Sequence, residues 1–144
     1  MGKRRKSRAL TLQLLYQYEI RKEPPRKLLR ELWKEQKSLD KDIRSYTEAI
    51  FIGTVEQIEK IDELISELSL NWKLSRISLI DKNILRFAIY EICFRDDIPE
   101  KVAVDEAIEL AKQYSGDDAG SFINGILDSL LKDRERYMEK YSLI

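Results

Sequence analysis

The sequence predicts an all-α protein, and three observations support that fold class. Only three prolines and five glycines interrupt its 144 residues. Apolar residues recur at spacings of three and four along most of the chain, as in helices with one buried face. An apolar content of 43% is enough for a core, and the length fits one domain or two small subdomains that share a core.

The first half of the chain predicts three helices. The first spans about residues 7–21, because apolar residues repeat every four positions from Leu10 to Tyr18. Pro24-Pro25 ends it and can open a second helix that continues to about residue 36. A third and longest helix is predicted over about residues 40–68. Residues 71–73 are expected to form a loop.

The second half predicts three more helices. The fourth begins near Ser78, which has capping-box spacing to Asp81, and it is apolar nearly all round up to residue 94. We therefore expect it to be central in the fold. The fifth ends near residue 114. The last starts at about residue 119 and runs through Asn124-Gly125, where we expect a glycine that allows tight packing and a buried or half-buried asparagine.

Charge is strongly polarised along the chain. The first 30 residues contain ten basic and two acidic residues, whereas the other 114 contain 16 basic and 24 acidic residues. The formal charge is therefore +8 at the N-terminal end and −8 elsewhere. A positive end suits a polyanion such as RNA, although a solvated and disordered arm would give the same pattern.

Composition argues against several classes of function. The chain has no histidine and a single cysteine, Cys93, which we interpret as a small core residue. The residues needed for general-base catalysis by histidine, for histidine-containing catalytic triads and for soft-metal sites are therefore absent from the sequence. No glycine-rich phosphate loop is present either. We expect no enzyme activity, cofactor or metal. No apolar run could span a membrane and no signal peptide is apparent, so we expect a cytoplasmic protein.

Three polar clusters are candidates for function. Residues 3–8 hold five cations that could contact phosphates. Asp117-Asp118 opens the last helix, where acids also simply favour the helix dipole. The polar members of residues 81–86 could pair between helices or form a partner surface.

The order of several segments resembles the NusB family of bacterial transcription antitermination factors over nearly the whole chain. The basic arm (residues 1–8) leads into Ala9 and Leu14-Leu15-Tyr16. The later segments are the stretches 72–77 (WKLSRI), 81–91 (DKNILRFAIYE), Ile98-Pro99, 103–112 (AVDEAIELAK) and 122–128 (FINGILD). Each stretch alone is weak, but their order and spacing are specific.

The resemblance implies a NusB-like all-α fold of about six to seven helices in two packed subdomains. The whole chain, residues 1–144, would form one RNA-binding domain. Within it we expect the basic arm, an N-terminal subdomain at about 9–70 and a C-terminal subdomain at about 75–144.

The resemblance also implies function and partners. The family binds boxA RNA in ribosomal and related leaders together with NusE, a protein of the small ribosomal subunit. The pair joins NusA, NusG and RNA polymerase to suppress premature termination. The surface for NusE would draw on the fourth to sixth predicted helices. Some members self-associate, so a homodimer stays open.

Family RNA contacts come from the basic N-terminus and from the start of the last helix. Carried over by resemblance, the RNA-binding positions are Lys3, Arg4, Arg5, Lys6, Arg8, Tyr16, Asp118, Ser121 and Phe122. The chain departs from the family at Ser115, where Gly is frequent, at Ala119, where Ser is frequent, and at Ser121, where Lys is frequent. A weaker second RNA patch would follow.

Two alternatives remain at this stage. One is a detached RNA-binding domain of an RsmB-type rRNA methyltransferase, although the chain contains no catalytic domain of that kind. The other is a helical protein–protein adaptor without specific RNA binding, for which the basic arm would be dispensable.

Overall fold

The computed structural model describes residues 2–69 and 73–143, and the secondary structure in them is helical throughout. This confirms the predicted fold class. The helices are α1 (Lys3–Arg21), α2 (Pro25–Glu35), α3 (Lys41–Glu56), α4 (Ile58–Leu68), α5 (Leu79–Phe94), α6 (Glu100–Tyr114), α7 (Asp117–Lys132) and α8 (Arg134–Lys140), with a 3₁₀ turn at Leu74–Arg76. Asn71 and Trp72 of the predicted loop lie outside the described residues.

Two of the predicted helices are each interrupted in the structure. The third predicted helix is two helices, α3 and α4, because Gln57 adopts φ −108° and ψ 12°. The last predicted helix is also divided, at Asp133 with φ −138° and ψ 37°. No proline or glycine stands at either position. Apolar spacing continues through both breaks, so the pattern could not reveal them.

The chain divides into two compact units, residues 1–56 and 57–144. This division differs from the boundary expected near residues 70–75, and it coincides with the break at Gln57. In the first unit, α1 packs against α3, and α2 contacts both. Its core includes Leu14, Leu28 and Phe51, each no more than 1% exposed.

In the second unit, α5 is the central helix and packs against α4, α6 and α7. The expectation for this helix is confirmed. Ser78 caps it, since the Ser78 hydroxyl accepts a hydrogen bond from the Asp81 backbone N–H at 3.1 Å. Arg86 of α5 donates two hydrogen bonds of 2.7 Å to the Asp62 carboxylate of α4. Of the polar residues at 81–86, Arg86 therefore pairs between helices, as one of the two interpretations of this segment expected.

The expectation for Asn124 and Gly125 is wrong. Both residues lie exposed on α7, and a Cβ at Gly125 would have nothing within 4 Å. The glycine at the close approach of α6 and α7 is Gly120. A Cβ there would lie 3.1 Å from Lys112 Cε and 3.3 Å from Ile108 Cγ2.

The different surroundings of these two glycines predict different effects of alanine substitution on stability. Gly125→Ala is expected to raise the free energy of unfolding by roughly 0.5–1 kcal/mol, since glycine is a poor helix former and the added methyl meets no neighbour. Gly120→Ala is expected to give a smaller gain or a loss, because Lys112 and Ile108 must shift. Urea unfolding of both variants would test this, and equal gains at the two positions would contradict it.

Candidate nucleic-acid interface

The basic arm is part of α1, which begins at Lys3, four residues before the predicted start. Contacts with α3 hold this end of the helix. Lys3 Nζ lies 3.0 Å from an Asp42 carboxylate oxygen and 3.2 Å from one of Asp40. The hydrogen bond to Asp42 is the largest cause, followed by that to Asp40, and both raise the pKa of Lys3 above its usual value. The Ser7 hydroxyl donates to the Ile43 carbonyl at 3.0 Å.

Tyr46 of α3 organises two of the arginines. The Arg4 guanidinium carbon lies 4.5 Å from the Tyr46 ring centroid and that of Arg8 lies 5.7 Å from it. Arg8 also faces the Tyr46 hydroxyl, with Nη2 at 3.4 Å, and the residue is only 2% exposed. Arg8 is therefore a packing contact between α1 and α3, whereas Arg4 and Lys6 are exposed.

Exposed apolar residues follow the basic residues along the outward face of α1. Tyr16 is 41% exposed and Ile20 is 54% exposed. Helical spacing places both on the same side as Arg5, which is half-buried. The five basic positions and Tyr16 are thus brought together on one helix of the first unit.

The other three predicted positions lie at the start of α7 in the second unit. Asp118 and Ser121 are exposed and Phe122 is half-buried. Asp118 and Phe122 line an open groove of about 330 Å³, while Ser121 does not line it. The full lining of this Phe122 groove is Arg76, Ile77, Ser78, Asp81, Ser115, Asp118, Ala119 and Phe122.

Arg76, Ser78 and Asp81 are groove residues that the sequence analysis did not assign to RNA binding. Arg76 belongs to a stretch that carries the family resemblance, which is the signal that could have identified it. One carboxylate oxygen of Asp81 is buried and has no hydrogen-bond partner in the described structure. The groove therefore offers an exposed cation, an aromatic ring and polar acceptors together.

The two units carry opposite charge. Residues 1–56 hold 14 basic and 8 acidic side chains, a formal charge of +6, and residues 57–144 hold 12 and 18, a formal charge of −6. Attraction for a polyanion is thus concentrated in the first unit.

Comparison with known proteins decides the family. Residues 5–132 match the sequence model of the NusB family. The chain belongs to the NusB family. Transcription antitermination protein NusB of Acetivibrio thermocellus is 48% identical over 129 residues, covering 90% of this chain and 88% of that relative. The function class that comes with membership is transcription antitermination.

Solved structures of the family share the fold. T. maritima NusB matches with a TM-score of 0.83 and 37% identity, over 96% of this chain and 98% of that one. A chain in the crystal structure of antitermination factors NusB and NusE in complex with dsRNA matches with a TM-score of 0.82 and 27% identity, over 92% and 98%.

The departure from the NusB family at Ser115 has a structural explanation. Ser115 ends α6 with φ −122°, which any residue adopts. Gly116 follows with φ 122°, a conformation that favours glycine. The turn therefore uses its glycine one residue later. Ala119 is buried and lines the groove, whereas Ser121 is exposed and does not line it.

The single cysteine of the chain lies on α5. Cys93 is buried, and burial raises the pKa of its thiol to about 12. This confirms its interpretation as a core residue. Within residues 2–69 and 73–143, no cluster of three metal-ligating side chains occurs, and no helix is long and apolar enough to cross a membrane.

Proposed function

We propose that this NusB-family chain acts as a cytoplasmic, non-enzymatic adaptor that binds boxA-type leader RNA together with NusE. In this role it joins NusA, NusG and RNA polymerase, notably on rRNA operons. The observation that carries the proposal is the row of cations at the start of α1, in a unit of charge +6, on a chain of an antitermination family.

The cations at the start of α1 divide into two roles. Lys3 and Arg8 hold the helix against α3 through Asp42 and Tyr46. Arg4, Arg5 and Lys6 would contact phosphates, releasing counterions and making affinity salt-dependent. Because the helix is already held, little ordering entropy opposes these contacts.

The Phe122 groove supplies base recognition in this proposal. The Phe122 ring offers a stacking surface for an unpaired base, and Asp118 can accept hydrogen bonds from base amino groups. Arg76 across the groove suits a phosphate or a base face. Tyr16 on α1 would add a second aromatic contact.

For NusE we propose a surface that draws on α5, α6 and α7. Two large apolar side chains of α6, Val102 and Tyr114, are 43% and 47% exposed. Exposed apolar side chains on one helix are better suited to contact a protein partner than to contact the phosphates of RNA.

The decisive experiment is a fluorescence-anisotropy titration of boxA RNA and a scrambled RNA, at two salt concentrations, with and without NusE. We expect boxA RNA to bind more tightly, and the preference to grow with NusE. Equal affinities for the two RNAs with NusE present would reject specific RNA binding and leave a protein adaptor.

Phe122→Ala tests the groove. Loss of one stacked base is expected to weaken boxA binding by roughly tenfold, since stacking on an aromatic side chain contributes about 1–3 kcal/mol per base. The salt dependence should not change, because no cation is lost. Phe122→Tyr keeps the ring and serves as the control. An unchanged affinity of Phe122→Ala would exclude the groove from the RNA site.

A further inference from the structure

A second groove lies between α2 and α3 in the first unit. None of the residues of the proposed RNA site line it. This Trp33 groove has a volume of about 480 Å³. Its lining residues are Trp33, Leu39, Lys41, Arg44, Ser45 and Glu48. Trp33 is the half-buried aromatic residue at the end of α2, and the other residues belong to α3 or to the segment before it.

The groove combines an aromatic ring with a planar cation. The Arg44 guanidinium carbon lies 4.9 Å from the Trp33 ring centroid, so the ring can hold the guanidinium in place from one side. Arg44 itself is half-buried. A guanidinium held in this way can present its other face to an unpaired base, which stacks on arginine planes as it does on aromatic rings.

Positive charge surrounds the groove on both helices. Helical spacing places Arg26 and Arg30 on the same face of α2 as Trp33. In the part of the chain that the structure describes, Arg30 and Lys41 form no ion pair. The acid of the groove, Glu48, faces Arg26 at 3.8 Å, in an exposed pair that offsets its charge.

The Trp33 groove also adjoins the basic end of α1. Lys3 pairs with Asp40 and Asp42, the residues on either side of Lys41. Lys3 offsets one of these two carboxylate charges, and Lys41, which lies between them in the chain, balances the other, so this cluster has no net charge. A strand bound at the start of α1 could continue past Lys41 into the groove without crossing an unpaired acidic side chain at that junction.

We infer that the Trp33 groove binds single-stranded RNA that flanks the segment recognised by the proposed RNA site, with one base stacked on Arg44 and a phosphate near Lys41. The inference rests on the proposed function. It adds a sequence-tolerant contact, because stacking and phosphate pairing discriminate little between bases.

The test measures the affinity of the full chain for a short boxA RNA and for the same RNA extended by six unpaired uridines at its 5′ or its 3′ end. We expect one extension to tighten binding by about fivefold or more. Trp33→Ala and Arg44→Lys should each remove this gain while changing affinity for the short RNA by no more than about twofold. Lys132→Ala, at an exposed cation of the other unit, should keep the gain.

Arg44→Lys is the decisive variant, because it keeps the charge and removes only the plane. If the gain remained in Arg44→Lys, it would come from positive charge alone and not from a base stacked on the guanidinium, which would overturn the inference. Absence of a gain with either extension would overturn it as well and would favour an acidic protein segment as the occupant. The gain is the affinity for the extended RNA divided by the affinity for the short RNA, and both contain the same boxA sequence. It therefore does not depend on whether boxA is preferred to a scrambled RNA. Loss of that preference would reject the proposed function instead.

Discussion

Replacing Arg4 and Arg5 together by alanine is expected to weaken boxA RNA binding by roughly tenfold or more near 0.1 M salt. Both side chains lie at the basic end of α1, where Arg4 is exposed and Arg5 is half-buried. Each phosphate contact to single-stranded nucleic acid contributes about 0.7 to the salt slope, so loss of two should reduce the slope by about 1.4. Anisotropy titrations over a range of salt concentrations measure both quantities.

The matched control is Lys101→Ala with Lys132→Ala, which removes two exposed cations from the acidic unit. The control changes net charge by the same amount and should leave affinity and slope nearly unchanged. Equal losses in the two double variants would mean that only total charge matters, and the specific role of the α1 start would be rejected. Thermal unfolding of each variant checks that α1 stays packed, since Arg4 also contacts Tyr46.

Removing the Asp62 carboxylate is expected to cause a large loss of stability. Arg86 is almost fully buried, and its guanidinium donates to both oxygens of Asp62 and to the Asn83 side chain at 2.8 Å. Asp62→Ala removes the carboxylate to which Arg86 donates two hydrogen bonds, and breaking a fully buried ion pair in this way costs about 3–5 kcal/mol. Because Asp62 is 22% exposed and water can replace part of the bond, we expect about 2–4 kcal/mol.

Urea unfolding of Asp62→Ala, compared with Asp105→Ala, measures this effect. Asp105 pairs with Lys101 at 3.6 Å on the exposed face of α6, so its loss should cost less than about 1 kcal/mol. A similar small loss at Asp62 would contradict the prediction. Substituting both Asp62 and Arg86 by apolar residues should recover much of the stability, because the buried cation is then removed together with the carboxylate it pairs with.

The sequence alone determined the fold class and most of the helices. Apolar spacing predicted the buried face of α1 and the central position of α5, and Pro24-Pro25 and Ser78 marked helix ends that the structure contains. These signals are local, since they depend on residues within one or two turns of each other. The family resemblance, which comparison confirmed, also came from the sequence.

Tertiary structure decided what local patterns leave open. The break at Gln57 and the start of α1 at Lys3 have no local signal, because packing and the contacts of Lys3 and Ser7 with α3 set them. Burial of Arg8 against Tyr46 joins residues 38 positions apart. A row of basic residues therefore could not tell a phosphate contact from a packing contact.

The candidate site shows the same limit. Sequence reasoning selected Asp118 and Phe122, whereas their grouping with Arg76 and Asp81 in one groove depends on how the segment before α5 meets the start of α7. Arg44 and Trp33 likewise become a stacked pair only when α2 folds back on α3. Residue type and helical phase are written in the sequence, but which surfaces meet is fixed by the packing of distant helices.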